Sequence, residues 1–195
     1  MRIDKNELPD RLVVENSATK VKQYYSFADP VNDPADIRKG IINTLVFVSA
    51  DKIRSMLEGQ GVFDFFALTH FYTQSKGAGK LDFSLSVIPT EFAQYGASES
   101  PQNPLTPSPV LFLPAGDKYV HNHMNFGNSL WGAAGASEGL SLPVLQWGAN
   151  YNSLHNSWTN GYDPQPDSAD DQLLIARGVQ YAQQHRWNWG KSMWR

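Results

Sequence analysis

The sequence predicts a mainly helical α+β fold with a minor strand pair, in one compact domain. Three observations carry this. Cap residues precede apolar runs of helical spacing at several points, one segment alternates apolar and polar residues, and no internal repeat or heptad pattern runs through the 195 residues. A chain of this length buries roughly two-thirds of its unfolded surface around one core.

Taken in order, Asp33 before Pro34 reads as an N-cap with proline at the first helical position, opening a helix through ADIRKGIINTLVFV. Ser49 offers a second cap, with Ile53, Met56 and Leu57 at helical spacing and Gly59 as the stop. VFDFFALTHFYTQSKG is apolar on most sides and reads as a buried helix, so residues 1–79 form a helical front part. In KLDFSLSVIP, the apolar residues Leu81, Phe83, Leu85 and Val87 alternate with polar ones, which predicts a half-buried strand over Lys80 to Ile88 ended by Pro89. Prolines 101, 104, 107, 109 and 114 make 97–114 an irregular Pro-rich loop. Beyond it, Asn128 or Ser129 caps a helix through LWGAAGASEG whose small residues admit another backbone closely. Ser141 with Pro143 starts another, and Ser168 with Asp171 starts DDQLLIARGVQYAQQHR.

Composition removes several functions. The formal charge is -3 and the pI about 5.9, which lacks the basic face that general nucleic-acid binding draws on. The absence of cysteine removes disulfides, thiolate metal sites and Cys nucleophiles. No apolar run reaches the length of a signal peptide or a membrane span, so export is expected through a specialised route. The phosphate-cradling glycine loop, HExxH and GxSxG are all missing.

Chemistry concentrates after position 120, where all six tryptophans lie. His121 and His123 in a His-x-His on an extended segment put both imidazoles on one face, next to Asn125, Asn128 and Trp131 as substrate contacts. Such a pair suits acid–base work or two metal ligands, with Asp82 or a later aspartate as the third; hydrogen bonding around an irregular turn explains them equally well. Asp163, Asp167, Asp170 and Asp171 can raise one another's pKa or hold a hard cation, although Asp167, Ser168 and Asp171 also meet the needs of a helix start. Lys80 and Asp82 share one face of the predicted strand, where a solvent-exposed ion pair is expected. Glu91 and Glu138 are glycosidase-type acids if buried. The tryptophans read as core and interface anchors, with Trp187, Trp189 and Trp194 partly exposed in a polar tail.

The run KLDF, then NFGNSLWGAAGASEGLSLPVLQWGA, then YDPQPDSADDQLLIARGVQYAQQH resembles the bacterial polymorphic toxin type 44 family over roughly Lys80 to His185. Phe126, Gly127, Asn128, Gly132, Ala133 and Gly135 match its central turn; Lys80, Asp82 and Phe83 match its first stretch without the family's Trp. Asp163, Pro164, Asp167, Asp171, Gln172, Ile175 and Gly178 follow the last, with an insertion around Gln165 to Ala169 that leaves open which aspartate takes the functional place.

The resemblance implies a secreted toxin domain used between bacteria, with a cognate immunity protein and a secretion apparatus or carrier as partners. The leading expectation is an antibacterial hydrolase of a cell-envelope polymer, most plausibly peptidoglycan, acting in the target periplasm on a polysaccharide or peptide substrate. Asp82, Asp163 or Asp167 would serve as acid or base, His123 as proton shuttle and Asn128 as a positioning group. No cofactor is required, and a divalent metal is left open. The alternatives are a cytoplasm-acting ribonuclease, with His121 and His123 as its acid–base pair and Lys80 or Arg177 on the phosphate, and a non-catalytic binding module.

Overall fold

A computed structural model describes residues 2–4, 11–63, 67–76, 79–97, 108–155 and 163–187. The fold is α+β and mainly helical, as expected, but its strands lie elsewhere than the sequence suggests.

Four strands fall in the supposedly helical front. β1 (Arg2–Asp4), β2 (Arg11–Glu15) and β3 (Lys22–Phe27) form an antiparallel meander, and β6 (Tyr119–Val120) joins β3 in parallel. Asn16 builds the β2–β3 turn, its Oδ1 accepting from the amides of Ala18 and Thr19 at 2.9 and 3.0 Å. Helix α1 (Asn32–Arg38) is short because Gly40, at φ 76°, turns the chain out of it; TLVFV then runs as strand β4 (Thr44–Val48). Asp33 is not its cap. Among the described residues no side chain caps α1 from its N-cap position, Val31; Asp29 Oδ1 accepts from the amides of Val31 and Asn32 in the turn before it, while Asp33 turns inward.

β4 pairs in parallel with β5 (Val110–Pro114), in which every residue is buried. The end of the Pro-rich segment is therefore a central strand: VLFLP is continuously apolar, as a strand covered on both faces must be, and its proline stands at the last position. An antiparallel bridge between Phe112 and His121 ties this pair to the larger sheet's end. Residues 98–107 lie outside the described chain.

The expected strand at Lys80 to Ile88 is instead two single helical turns, α4 (Phe83–Ser86) and α5 (Ile88–Glu91), followed by a 3₁₀ turn at Ala93–Tyr95. Phe83 and Val87 stand four residues apart and both are buried along with Ile88, so burial follows the helical spacing. Helix α2 (Ala50–Gly59) begins as expected, with Ser49 Oγ accepting from the Lys52 amide at 3.1 Å. In α3 (Ala67–Gln74), Phe71 is buried while Tyr72 is exposed, so the helix is half-covered.

Helices α6 (His123–Ser137), α7 (Leu142–His155) and α8 (Ala169–Gln184) complete the fold. α6 starts five residues before Asn128, because Asn122 Oδ1 caps it through the Asn125 amide. Its small residues do admit a backbone: a Cβ on Gly132 would lie 2.3 Å from the Ile175 carbonyl oxygen, and one on Gly178 would lie 1.9 Å from that of Ser129. α6 and α8 therefore pack main chain against main chain. The larger core gathers the helices with β4 and β5, and a smaller one fills behind the meander around Leu12, Phe27, Ile42 and Leu111. Trp187 belongs to the larger core, stacked edge-on against Tyr181, and is not exposed; Trp158, Trp189 and Trp194 lie outside the described residues.

Candidate functional site

Helices α3, α4, α6, α7 and α8 enclose a cleft of about 440 Å³, within the usual range for ligand pockets. Its walls are largely aromatic. Trp131 forms the inner surface, tilted against Phe71 with ring centroids 5.2 Å apart, and its indole N–H donates to Ser75 Oγ at 2.8 Å. Trp147 and Tyr151, one turn apart on α7, stack at the rim with centroids at 5.4 Å, and Lys76 Nζ lies 5.1 Å from the Tyr72 ring centre.

Carboxylates supply the polar part. Asp82, at the start of α4, and Asp167 and Asp171, at the start of α8, all line the cleft. Asp167 is held on both oxygens, with Ser153 Oγ donating to Oδ1 at 3.1 Å and Gln172 Nε2 to Oδ2 at 2.5 Å. Its amide donates to Asn150 Oδ1 at 3.0 Å, which pins the segment entering α8 to α7. Asp171 accepts from Asn128 Nδ2 at 2.5 Å and from Ser168 Oγ at 2.8 Å. Burial pushes both carboxyls above the ordinary range. The charge of Asp171 raises Asp167 further, while the Gln172 and Ser153 hydrogen bonds pull it back; on Asp171 the charge of Asp170 adds to burial, against the bonds from Ser168 and Asn128. Among the described residues, neither carboxylate is ion-paired.

Of the candidate site residues singled out from the sequence, Asp82, Asp167, Asp171, Asn128 and Trp131 therefore meet in one cleft. The others do not line it. Asp163 is exposed on the approach to α8. His121 and His123 do not share a face, since the chain passes from strand to helix between them and each imidazole turns to a different partner. His121 Nε2 meets Asp117 Oδ2 at 2.9 Å, and His123 Nε2 meets the Ser84 carbonyl at 2.6 Å. A carbonyl only accepts, so His123 carries its proton on Nε2; burial lowers its pKa, and the Ser84 bond offsets this in part. His123 thus fastens α4, and with it Asp82, to α6. Asn125 is buried in the first turn of α6.

Arg177 lies over the Tyr119 ring at 3.2 Å, beside Asp117. Burial alone would raise Asp117, but hydrogen bonds from His121 and from the Tyr119 and Lys118 amides hold it below its usual value. Glu91 pairs with Lys52, and Glu138 accepts from the Phe63 amide at 2.7 Å; neither lines the cleft. Lys80 is exposed. Ser153 and Trp147 also line the cleft and Gln172 braces Asp167, and none of the three carries a site signal in the sequence. The four-residue step from Asp167 to Asp171 serves both of the readings the sequence allows, a helix start and a pair of cleft carboxylates.

Fold and site together define a mainly helical α+β domain with an aromatic cleft that carries carboxylates. No family model, curated protein or solved structure matches the chain. Among the described residues, no group of three metal-ligating side chains converges, and no helix is long and apolar enough to cross a membrane.

Proposed function

We propose that this chain is an antibacterial toxin domain that hydrolyses a cell-envelope polymer, with peptidoglycan as the substrate and the target cell's periplasm as its place of action. The observation that carries the proposal is the placing of Asp167 and Asp171 side by side in an aromatic cleft, with Asp82 entering from a separate element. Acid–base hydrolysis needs one carboxyl that keeps its proton near neutrality and a second that is ionised. Asp167 is proposed for the first role, because burial and the neighbouring Asp171 raise its pKa above the ordinary carboxylate value, against the Gln172 and Ser153 hydrogen bonds. Asp82, on the separate element, is the group proposed to accept a proton from the attacking water, while Asp167 gives its own to the leaving group. Asn128, held by Asp171, orders the cleft wall.

The likeness to type 44 toxins supports delivery by a secretion apparatus or carrier and neutralisation by an immunity protein. The ribonuclease alternative draws less support, because His121 and His123 are engaged with Asp117 and Ser84 and the cleft is lined by carboxylates that repel phosphates. Growth of bacteria expressing the chain in the cytoplasm and, separately, behind a periplasmic export signal tests the proposal, each beside Asp167→Ala and His123→Ala versions. Lysis confined to the exported form and abolished by Asp167→Ala is expected. Arrest confined to the cytoplasm would transfer the function to an internal target such as RNA, and a benign phenotype in both compartments would favour a binding module.

A further inference from the structure

The walls of the cleft are helices, and this limits what can lie in it. One common way to hold an extended peptide is through its own N–H and C=O groups, which pair with a free strand edge. The described lining offers none: its residues come from α3, α4, α6, α7, α8 and the turns beside them, where backbone groups are largely spent within the helices. What it does offer is ring surface with amide and hydroxyl groups between. A sugar ring presents an apolar face of C–H bonds and a rim of hydroxyls, which is the complement of that lining.

Trp147 marks where such a ring would sit. It is 68% exposed, more than any other Trp, Tyr or Phe among the described residues, and it stands on the wall of α7 that also supplies Ser153, the hydrogen-bond partner of Asp167. Tyr151 stacks on it at 26° between ring planes, and the His155 ring follows Tyr151 at 4.3 Å, so the rings form a ladder along α7 that continues past the mouth of the cleft. Exposed apolar surface contiguous with a pocket is the mark of a binding surface.

Resting on the hydrolase reading above, we propose that the cleft takes the glycan strand of the envelope polymer and not its peptide, with Trp147 and Tyr151 as a stacking subsite for a sugar beyond the cleaved bond. In the reaction, the oxygen of water bonds to the anomeric carbon as the glycosidic C–O bond breaks. The proton of Asp167 goes to the departing oxygen, and one proton of the water goes to Asp82, so that the net change is the addition of one water.

The test separates binding from turnover. Affinity is measured by calorimetry on the Asp167→Asn chain, with and without Trp147→Ala, against N-acetylglucosamine oligomers of two to six units, the free stem peptide, and single-stranded RNA of matching length. Affinity that rises with oligomer length and falls about tenfold for the long oligomers on Trp147→Ala supports the subsite. Length-independent binding, indifference to Trp147→Ala with folding intact by circular dichroism, or tighter binding of the stem peptide or RNA overturns it. Turnover is scored separately as new reducing ends with the unsubstituted chain. Length-dependent binding without new reducing ends leaves the subsite standing and removes the hydrolase. New reducing ends with no dependence on Trp147 remove the subsite and leave the hydrolase.

Discussion

The side-chain amide of Asn128 donates to Oδ1 of Asp171 at 2.5 Å, joining the middle of α6 to the first turn of α8 inside the cleft. The bond links a residue of the Phe-Gly-Asn turn motif to a residue of the aspartate run, 43 positions apart. Replacing Asn128 by Ala leaves that carboxylate oxygen short of a donor in a partly buried place. The expected cost is about 1–3 kcal/mol at neutral pH and less in acid, where Asp171 is protonated. Urea denaturation at two pH values measures it.

Asp171 also sets the proton affinity of Asp167. Its negative charge adds to burial in raising the Asp167 pKa, so Asp171→Asn lowers that pKa. A general acid works only while protonated, and activity falls as pH rises through its pKa. The alkaline limb of the rate profile is therefore expected at lower pH in Asp171→Asn than in the parent chain. An unmoved limb would assign the acid to another group.

Main-chain contact between α6 and α8 leaves no room for a methyl group at Gly178, where a Cβ would meet the Ser129 oxygen at 1.9 Å and the Ala133 nitrogen at 2.7 Å. Both neighbours are backbone, so relief requires moving a helix that carries Asn128 and Trp131. Gly178→Ala is expected to cost about 3 kcal/mol and to lower Tm, although alanine is the better helix former by about 1 kcal/mol. Gly59→Ala, where nothing lies within 4 Å, serves as the control for an unopposed substitution.

Asp33 gives stability a distinctive pH dependence. It is 2% exposed, its Oδ1 accepts from Asn122 Nδ2 at 2.9 Å, and its Oδ2 has no hydrogen-bond partner among the described residues. Burial, with the charges of Asp29 and Asp36, outweighs the Asn122 bond and pushes its pKa from 3.8 to about 7. The folded chain holds this proton more tightly than the unfolded chain. The contribution is full below about pH 4 and is lost as pH rises towards 7, amounting to roughly 4 kcal/mol. His123, with a lowered pKa, acts in the opposite direction, withdrawing stability as pH falls below its unfolded value. The difference between parent and Asp33→Asn isolates the first effect: the variant gains on the parent between pH 4 and 7, and a constant difference would refute the assignment.

The sequence and the fold agree where a single local rule decides the outcome. Ser49 and Ser168 cap the helices expected of them, and Gly132 and Gly178 sit where two backbones touch. The front of the chain reads as helix because TLVFV follows a helix start with no proline between, and only the turn at Gly40 and pairing with VLFLP make it a strand. KLDFSLSVIP alternates over Leu81, Phe83, Leu85 and Val87, yet Ser84 and Ile88 are buried where alternation would expose them. Its tertiary surroundings, Ser84 held under His123 and beside Gly127, favour the helical turn. Aspartate spacing marked Asp167, but its partners Ser153 and Gln172 come together only through the packing of α7 on α8.

The most direct measurement is digestion of purified peptidoglycan sacculi by the chain and by Asp167→Asn, each shown to be folded, with the soluble products identified by mass spectrometry. Soluble fragments carrying new reducing ends from the parent chain, and none from Asp167→Asn, are the expected result. Intact sacculi after treatment with the parent at every pH and metal condition, or equal release by Asp167→Asn, would contradict a carboxylate-driven hydrolase.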